Sequence, residues 1–584
     1  MAGLFLVQTR DRAFAEAALA GARTQFAKHG FTNCTEHEVP GWHLLHAPYI
    51  LGGPETLLAE GDDLVAVAGT LTCDGKMGRE ALSALLGMAE LPRPDWSRLG
   101  GQFVALVRRA GRTFLFTDWF AAFQLFHDGD GRFFSTSLLA AAQALPRLSF
   151  DAQGVYEFAF NVVPTGNDTV FAELKTLGPE RLIELTGAGS VAHSLAKPLP
   201  EAGVVLPLAE RIERQRAALA AIVRPHVAHY GNRIFCPLSG GLDSRLLLAL
   251  LREAGAAPNL YVYGAPGSDD VAVARAIGAA MGFAVEWIDK SAREIAPDAF
   301  PEQVEANFQS YDALPNFGEL FESGANAAAR AARHAGGAMS ASGGCGEIFR
   351  NFFYLPDRRM SAAAVARTFF ARYAKGDLTE AFDERRFLRG LEDKILEALG
   401  REGERGPLPR GLIEQIYPRF RCRPFFGREI SNEARFGAYL MPFLDHRVVA
   451  EAMTLPLPLK NVGRFEAALI HAIDPALAGQ PSAYGHSFAE PPNRAHRWSE
   501  YNTRIRPAWL RQKSYAIRRR MGPMADEHGG LLTAEWLGRV VDLDFPVMRH
   551  FFRPERITDS ALLRRVANLE YFANRLGSRL STGS

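Results

Sequence analysis

One ten-residue stretch limits the folds open to this chain more than any other: Cys236-Pro-Leu-Ser-Gly-Gly-Leu-Asp-Ser-Arg245. An apolar strand runs straight into two glycines and then into a strongly apolar helix, the arrangement of a βα unit that cradles an anion. Glycine lets the backbone approach an oxyanion with no Cβ in the way. Successive N–H groups and the helix N-terminus supply partial positive charge, and Ser239 and Ser244 add hydroxyl donors. Asp243 discriminates further, because a carboxylate inside a phosphate-binding turn repels its ligand unless a divalent cation stands between them. It therefore predicts Mg²⁺ bridging to phosphates. The alternative is a tight strand-to-helix turn with Asp243 as a capping residue. The spacing is neither Walker A, since Gly-Lys-Ser/Thr is absent, nor the dinucleotide fingerprint.

The flanking pattern predicts a parallel sheet. Strand-like runs at Arg233 to Leu238, Asn259 to Tyr263, Ala284 to Asp289 and near Ala338 alternate with helical spacing at Leu242 to Ala254 and Ser268 to Met281, the rhythm of βαβ units. From about Ser361 the pattern reads as almost wholly helical. Before residue 200 short strands dominate, at Gly3 to Val7, Trp42 to Leu45, Leu64 to Gly69, Gln102 to Arg108, Thr113 to Asp118, Arg132 to Ser137 and Arg181 to Leu185. Helical spacing intrudes there only at Arg12 to Lys28 and Arg79 to Met88, which predicts a sheet-rich α+β layer domain. The Pro/Gly-punctuated stretch Lys197 to Gly203 precedes a long amphipathic helix, Leu206 to His229, and sets the boundary near 200. One domain is expected over 1–200 and another over 205–584.

At 584 residues one core does not suffice. With 47% hydrophobic and 22% charged residues the chain is of ordinary globular composition, which excludes disordered, fibrous and membrane-embedded classes. Sixty-six basic against 65 acidic residues leave a net charge of +1, so no global field draws the protein onto nucleic acid or an anionic membrane. No uncharged apolar run approaches the roughly 18 residues of a membrane span. The opening MAGLFLVQTR lacks a basic region and an A-x-A-like site and is expected to be a buried first strand of a cytoplasmic protein. Five scattered cysteines (Cys34, Cys73, Cys236, Cys345, Cys422) suggest neither a disulfide framework nor a zinc cluster and read as small buried or semi-buried hydrophobes. The basic stretch Arg504, Arg506, Arg511, Lys513, Arg518, Arg519, Arg520, interleaved with Trp509 and Tyr515, reads as a solvated helix face; nucleic acid is not expected as a partner.

S-G-G-x-D-S after a strand resembles the signature of the ATP pyrophosphatase or PP-loop family, whose members cleave ATP to AMP and pyrophosphate. Tyr261-Val-Tyr-Gly-Ala-Pro-Gly-Ser-Asp-Asp270 followed by Ala274-Arg275, and Met441-Pro-Phe-Leu-Asp-His446, resemble segments of asparagine synthetases. Gly100-Gly-Gln-Phe103, Thr117-Asp118, Leu125-Phe126 and Phe134-Ser-Thr-Ser137 occur in the order of the glutaminase (class II amidotransferase) domain of the same enzymes. The resemblance covers essentially the whole chain. It implies an N-terminal Ntn-type α+β sandwich and a C-terminal α/β PP-loop domain, Rossmann-like, with a parallel sheet and a helical C-terminal portion. It further implies ATP and Mg²⁺ as cofactors. Leu238, Tyr263 and Gly264 would flank the adenine. Ser239, Gly240, Gly241, Asp243 and Ser244 would hold pyrophosphate and metal, with Ser342 and Gly343 completing the nucleotide site.

The chain also departs from that pattern. The glutaminase nucleophile, a cysteine following the initiator Met, is replaced by Ala2, and the glutamine-binding N-G-E segment by Ala68-Gly-Thr-Leu71. Loss of the cysteine with retention of the loop resembles the β-lactam synthetase and lasso-peptide cyclase branch. That branch adenylates a carboxylate and lets a substrate amine attack it. The second metal loop, S-G-E-G-S-D-E-L-F in the family, reads Ser340-Ala-Ser-Gly-Gly-Cys-Gly-Glu-Ile-Phe-Arg350; its Asp falls on Gly346, and Glu347 is the candidate second metal ligand. The acid or Tyr of the relatives' acid/base step falls on Gly343, and their catalytic Lys on Ser482 or Ala483. Lys460 is a candidate for neutralising developing charge, against a solvated loop Lys. Tyr484 and His486 are candidates for proton transfer. Arg245 either reaches a phosphate or substrate carboxylate or forms a surface ion pair.

The expected function is an ATP-dependent, amide-forming ligase without glutamine hydrolysis. Its substrates are a small-molecule or peptide carboxylate and an amine, with a peptide-delivering partner protein and a homodimer both left open. The alternatives are an asparagine synthetase acting on aspartate, a nucleotide-binding pseudoenzyme or scaffold, and a tRNA-modifying pyrophosphatase. The last would want an RNA module or paired cysteines, and neither is visible.

Overall fold

Alternation at period two builds the first half. In the strand Asp63–Gly69, Leu64, Ala66 and Ala68 enter one apolar core while Val65 and Val67 enter another, and Phe103–Arg109 divides its side chains in the same way. Both strands are therefore covered on two faces. The computed structural model describes residues 3–88, 91–290, 293–317, 319–521 and 530–581, the side chains of 519–521 excepted. Ala2 and the side chains of Arg519 and Arg520 lie outside the described residues.

Two six-stranded antiparallel sheets result. In the first, Gly3–Gln8 lies between Phe133–Ser135 and Trp42–Ala47; in the second, Phe103–Arg109 lies between Arg112–Thr117 and Asp63–Gly69. The helix Arg12–Lys28 packs on the first sheet and Arg79–Leu86 on the second. Two helices absent from the sequence expectation, Leu138–Ala144 and Ala152–Asn161, complete this half. Leu138–Ala144 follows its strand with only two residues between, so the apolar run carries no break that a periodicity argument can use.

The expected boundary falls in a stretch between Gly189–Ser194 and the helix Leu208–Tyr230 that carries neither helix nor strand. The two halves nonetheless share one continuous apolar core. Buried Asp312 caps a helix of the other half, accepting hydrogen bonds from Ser137 Oγ at 2.7 Å and from the N–H groups of Leu138 and Leu139 at 2.6 and 3.0 Å.

The second half is built on five parallel strands in the spatial order Val285–Ile288, Asn259–Tyr263, Ile234–Pro237, Met339–Ala341, Tyr439–Leu440. Four were expected from sequence. The fifth, two residues long, sits inside the segment read as wholly helical, which also contains irregular chain between short helices from 538 to 559. The expected helix start at Met441 is a 3-10 turn, Pro442–Leu444, and the α-helix begins at His446 with Asp445 as its cap. All five cysteines are free; four are buried as expected and Cys34 is exposed, where a buried or semi-buried position had been expected. No helix among the described residues is long and apolar enough to cross a membrane.

Candidate functional site

Strand order fixes where a ligand can enter. Ile234–Pro237 is central, the second and third strands lie on one side of it and the fourth and fifth on the other, so the connections leaving strands one and four part at their carboxyl ends. A crevice opens at such a switch point. Two loops face it, 238–241 after the first strand and 342–346 after the fourth. The second meets the first turn of the helix that follows the first loop, where a Cβ at Gly343 would lie 2.8 Å from the carbonyl carbon of Asp243.

The first loop is internally braced. Ser239 N–H donates to Ser244 Oγ at 3.0 Å, the two hydroxyls are 2.9 Å apart, and Gly241 N–H donates to Ser239 Oγ at 3.3 Å. Gly240 N–H donates to Asp270 Oδ1 at 2.8 Å, a partner that sequence reasoning missed. A Cβ at Gly240 would lie 2.6 Å from Ala483 Cβ, and Gly240 O accepts from Ala483 N–H at 3.0 Å, so segment 480–486 is seated on the loop. The helix Leu242–Glu253 begins with Gly241 at its N-cap and no side-chain cap, which leaves its positive end open to an anion.

Asp243, in the first turn of that helix, meets an arginine. Arg350 Nη2 donates to Asp243 Oδ1 and Oδ2 at 2.6 and 2.5 Å, Arg350 Nε lies 3.4 Å from Glu466 Oε2, and Nη2 lies 3.7 Å from Glu347 Oε1. Tyr417 donates its hydroxyl to Glu347 at 2.6 Å. Burial, reinforced by the Asp243 charge, raises the Glu347 and Glu466 carboxyls above the usual range, Glu466 by far the more. Burial opposes the Arg350 charge, but Asp243, Glu466 and Glu347 outweigh it and hold the guanidinium charged. Neither Arg350 nor Glu466 was found from sequence.

An all-oxygen donor set suits a hard cation such as Mg²⁺. Here the guanidinium fills the space between the acids, both Asp243 oxygens are engaged, and no group of three His, Cys, Asp or Glu among the described residues can hold a metal. As placed, the acids expected to hold a phosphate-bridging Mg²⁺ are otherwise engaged, Asp243 by Arg350 and Glu347 by Tyr417, and do not by themselves form an ion site. The expected family Asp at position 346 does not fit either, since a Cβ on Gly346 would lie 2.3 Å from Asp243 Oδ1.

The other sequence candidates divide. Tyr484 faces the site, its hydroxyl 3.5 Å from Arg350 Nη1, and burial pushes it up to about 12, so it is protonated at neutral pH. His486 lies beside it, Nδ1 3.2 Å from Tyr484 O, its ring tilted toward Phe488 and His496. Ser342 is a brace, with Oγ accepting from Gly344 N–H at 3.0 Å. Tyr263 accepts from Arg333 through its hydroxyl and carries Lys290 Nζ 3.6 Å from its ring centre. Gly264 lets the turn close on the next helix, where a Cβ would lie 2.3 Å from Ser268 Oγ, and its carbonyl accepts from Trp287 Nε1 at 2.9 Å.

Three expectations are corrected. The side chain of Leu238 is wholly buried in the core and offers adenine no contact. Lys460 is not in a solvated loop: it is 1% exposed, 2.9 Å from Glu414, and not among the residues that line the cavity beside Arg350. Arg245 forms no surface ion pair; it is wholly buried and donates to the carbonyls of Gln480 and Pro481 at 3.0 and 2.6 Å.

Beyond Arg350 opens a cavity of about 880 Å³. Leu242, Glu347, Arg350 and Tyr484 line it, with Phe352, Phe353, Tyr354 and Phe369 interleaved with Arg372, Arg506, Arg511 and Arg518; Arg372 lies over the Phe369 ring at 4.5 Å and Arg511 donates to the carbonyls of Phe353 and Tyr354. Part of the basic stretch thus lines a cavity, where a solvated face had been expected. At the Ala68-Gly-Thr-Leu71 segment the opposite holds. Tyr49 donates its hydroxyl to Gly69 O at 2.6 Å, Thr70 Oγ1 accepts from Tyr439 N–H at 2.8 Å, and the space left is about 10 Å³.

No protein-family profile matches the chain, and no curated protein sequence matches it. Among solved structures, it is similar to glutamine phosphoribosylpyrophosphate amidotransferase from B. subtilis complexed with ADP and GMP, at 9% identity and TM-score 0.23 over 49% of this chain and 90% of that one. It is also similar to an allosteric regulatory enzyme of purine biosynthesis, at 11% identity and TM-score 0.21 over 49% of this chain and 64% of that one. Likeness this slight decides nothing about either half.

Proposed function

We propose that this chain is an ATP-dependent carbon–nitrogen ligase of the asparagine synthetase superfamily that forms an acyl-adenylate and uses no glutamine. The observation that carries the reading is the S-G-G-x-D-S loop, Ser239 to Ser244, at the central strand of a parallel sheet, opening into an uncapped helix N-terminus. ATP enters as its Mg²⁺ complex, the ion being part of the substrate.

In this reading a carboxylate oxygen attacks the α-phosphorus, the bond to the bridging oxygen breaks, and pyrophosphate leaves from the helix end that favours its charge. An amine then attacks the acyl carbon, the bond to the AMP oxygen breaks, AMP departs, and the amine's proton passes to solvent. Tyr484, protonated and beside Arg350, serves as a donor to the acyl or phosphate oxygen and not as the base. Gly69 and Thr70 are engaged by Tyr49 and Tyr439, which is in keeping with an amine supplied by the substrate. The cavity of about 880 Å³ supports a carboxylate bulkier than aspartate, since it falls in the range that holds drug-sized ligands. The arginines of the lining favour a substrate with further negative charge, and the aromatic rings among them an apolar body. Product identity tests the reading. A ligase of this kind yields AMP and pyrophosphate; ADP and phosphate would sink it.

A further inference from the structure

Three acids from three separate elements converge on one guanidinium. Asp243 comes from the helix Leu242–Glu253, Glu347 from the loop after the fourth strand, and Glu466 from the helix Arg464–Ile473. Glu466 is wholly buried, its carboxyl lies against that of Asp243, and Arg350 Nε is 3.4 Å from its Oε2. Carboxylates gathered out of water repel one another and are held together by a cation placed between them or by a proton one of them keeps. Elsewhere a divalent ion drawn from solution serves that need, held by the same all-oxygen donors. Here the chain carries the charge on its own side chain.

Two glycines make the room. Gly346, beside Glu347, has no side chain, and the Asp243 carboxylate occupies the space one would take. Gly463, with φ +65°, lies under Leu242 and the Arg350 stem: its Cβ would be 2.4 Å from Leu242 Cδ1 and 3.9 Å from Arg350 Cδ. Arg350 keeps 21% of its side chain exposed, in the lining of the large cavity.

We propose that Arg350 is the resident cation of this site, taking the place among Asp243, Glu347 and Glu466 that a protein-bound divalent ion would otherwise hold. The protein alone then has no divalent site on these carboxylates, and any Mg²⁺ in the reaction arrives on the nucleotide. That second consequence rests on the ligase reading; the first does not.

The test is a Mn²⁺ titration followed by electron paramagnetic resonance, with no nucleotide present, on the wild type, Arg350→Met, Arg350→Lys and Asp243→Asn. Wild type and Arg350→Lys are expected to bind no Mn²⁺ here at concentrations on the order of 1 mM. Arg350→Met is expected to bind one Mn²⁺ at least about tenfold more tightly, and to lose it when Asp243→Asn is added. A wild-type Mn²⁺ site that disappears in Asp243→Asn overturns the proposal, and so does a folded Arg350→Met that gains no ion. Should Arg350→Met fail to fold, the wild type and Asp243→Asn decide alone. Because no ATP is involved, failure here is distinct from failure of the ligase reading, which the AMP and pyrophosphate assay judges.

Discussion

Replacing Arg245 with Met separates a structural tie from a phosphate ligand. The arginine is wholly buried, donates to Gln480 O and Pro481 O, and holds its guanidinium 4.5 Å from the Phe488 ring centre. Hydrogen bonds from a charged donor contribute about 1.5–3 kcal/mol each, so removal forfeits roughly 4 kcal/mol. Against this, burial pushes Arg245 down to about 10 from 12.5, a penalty on the charged form on the order of 3 kcal/mol that Met escapes. Two carbonyls are left without donors, at about 1 kcal/mol or somewhat more. The net expected loss is about 2 kcal/mol, or roughly a thirtyfold shift in a local opening equilibrium. It should fall on segment 478–489, whose protected amides include Ala483 N–H to Gly240 O and Phe488 N–H to Ala478 O. Native-state hydrogen exchange reads those amides directly. If their protection is unchanged in Arg245→Met while ATP affinity drops tenfold or more, Arg245 is a phosphate ligand and the structural account of it is wrong.

Lys460→Met should lower stability in urea by about 3 kcal/mol, since it strands Glu414 in a buried site with only Arg410 at 2.6 Å. Turnover per folded molecule should hold, and a collapse of turnover without loss of stability would restore a catalytic role. Stability should also fall as pH drops from about 6.5 to 4. Burial pushes His46 and His226 down to about 4, so in that window the unfolded chain takes up protons that the native imidazoles refuse. The cost approaches about 3 kcal/mol for each histidine at the acid end. Urea midpoints between pH 7 and 4.5 check it, and a flat profile would contradict it.

The strand–turn–helix unit was legible because everything it needs is contiguous: strand, two glycines and an apolar helix within Cys236 to Arg245. The fifth parallel strand was not, because Tyr439–Leu440 is too short to show a period. Arg245 was misjudged through a neglected angle. Two residues beyond Asp243 on a helix is about 200° of rotation, which turns the side chain away from the loop and into the core. Asp270, Arg350 and Glu466 were invisible for another reason, since each comes from an element distant in sequence and only the sheet order brings them to Ser239–Ser244. Lys460 stood out as one of nine lysines, yet its fate depends on Glu414, which no local pattern connects to it.

The central claim is that Ser239 to Ser244 releases pyrophosphate from ATP. The most direct measurement is the product of ATP turnover, AMP with pyrophosphate or ADP with phosphate, in wild type and Asp243→Asn supplied with a panel of bulky carboxylates. The account expects AMP and pyrophosphate from the wild type and a loss on the order of a hundredfold in Asp243→Asn, which removes the charge that holds Arg350 at the loop. ADP and phosphate as products, or AMP formation indifferent to Asp243, would contradict it.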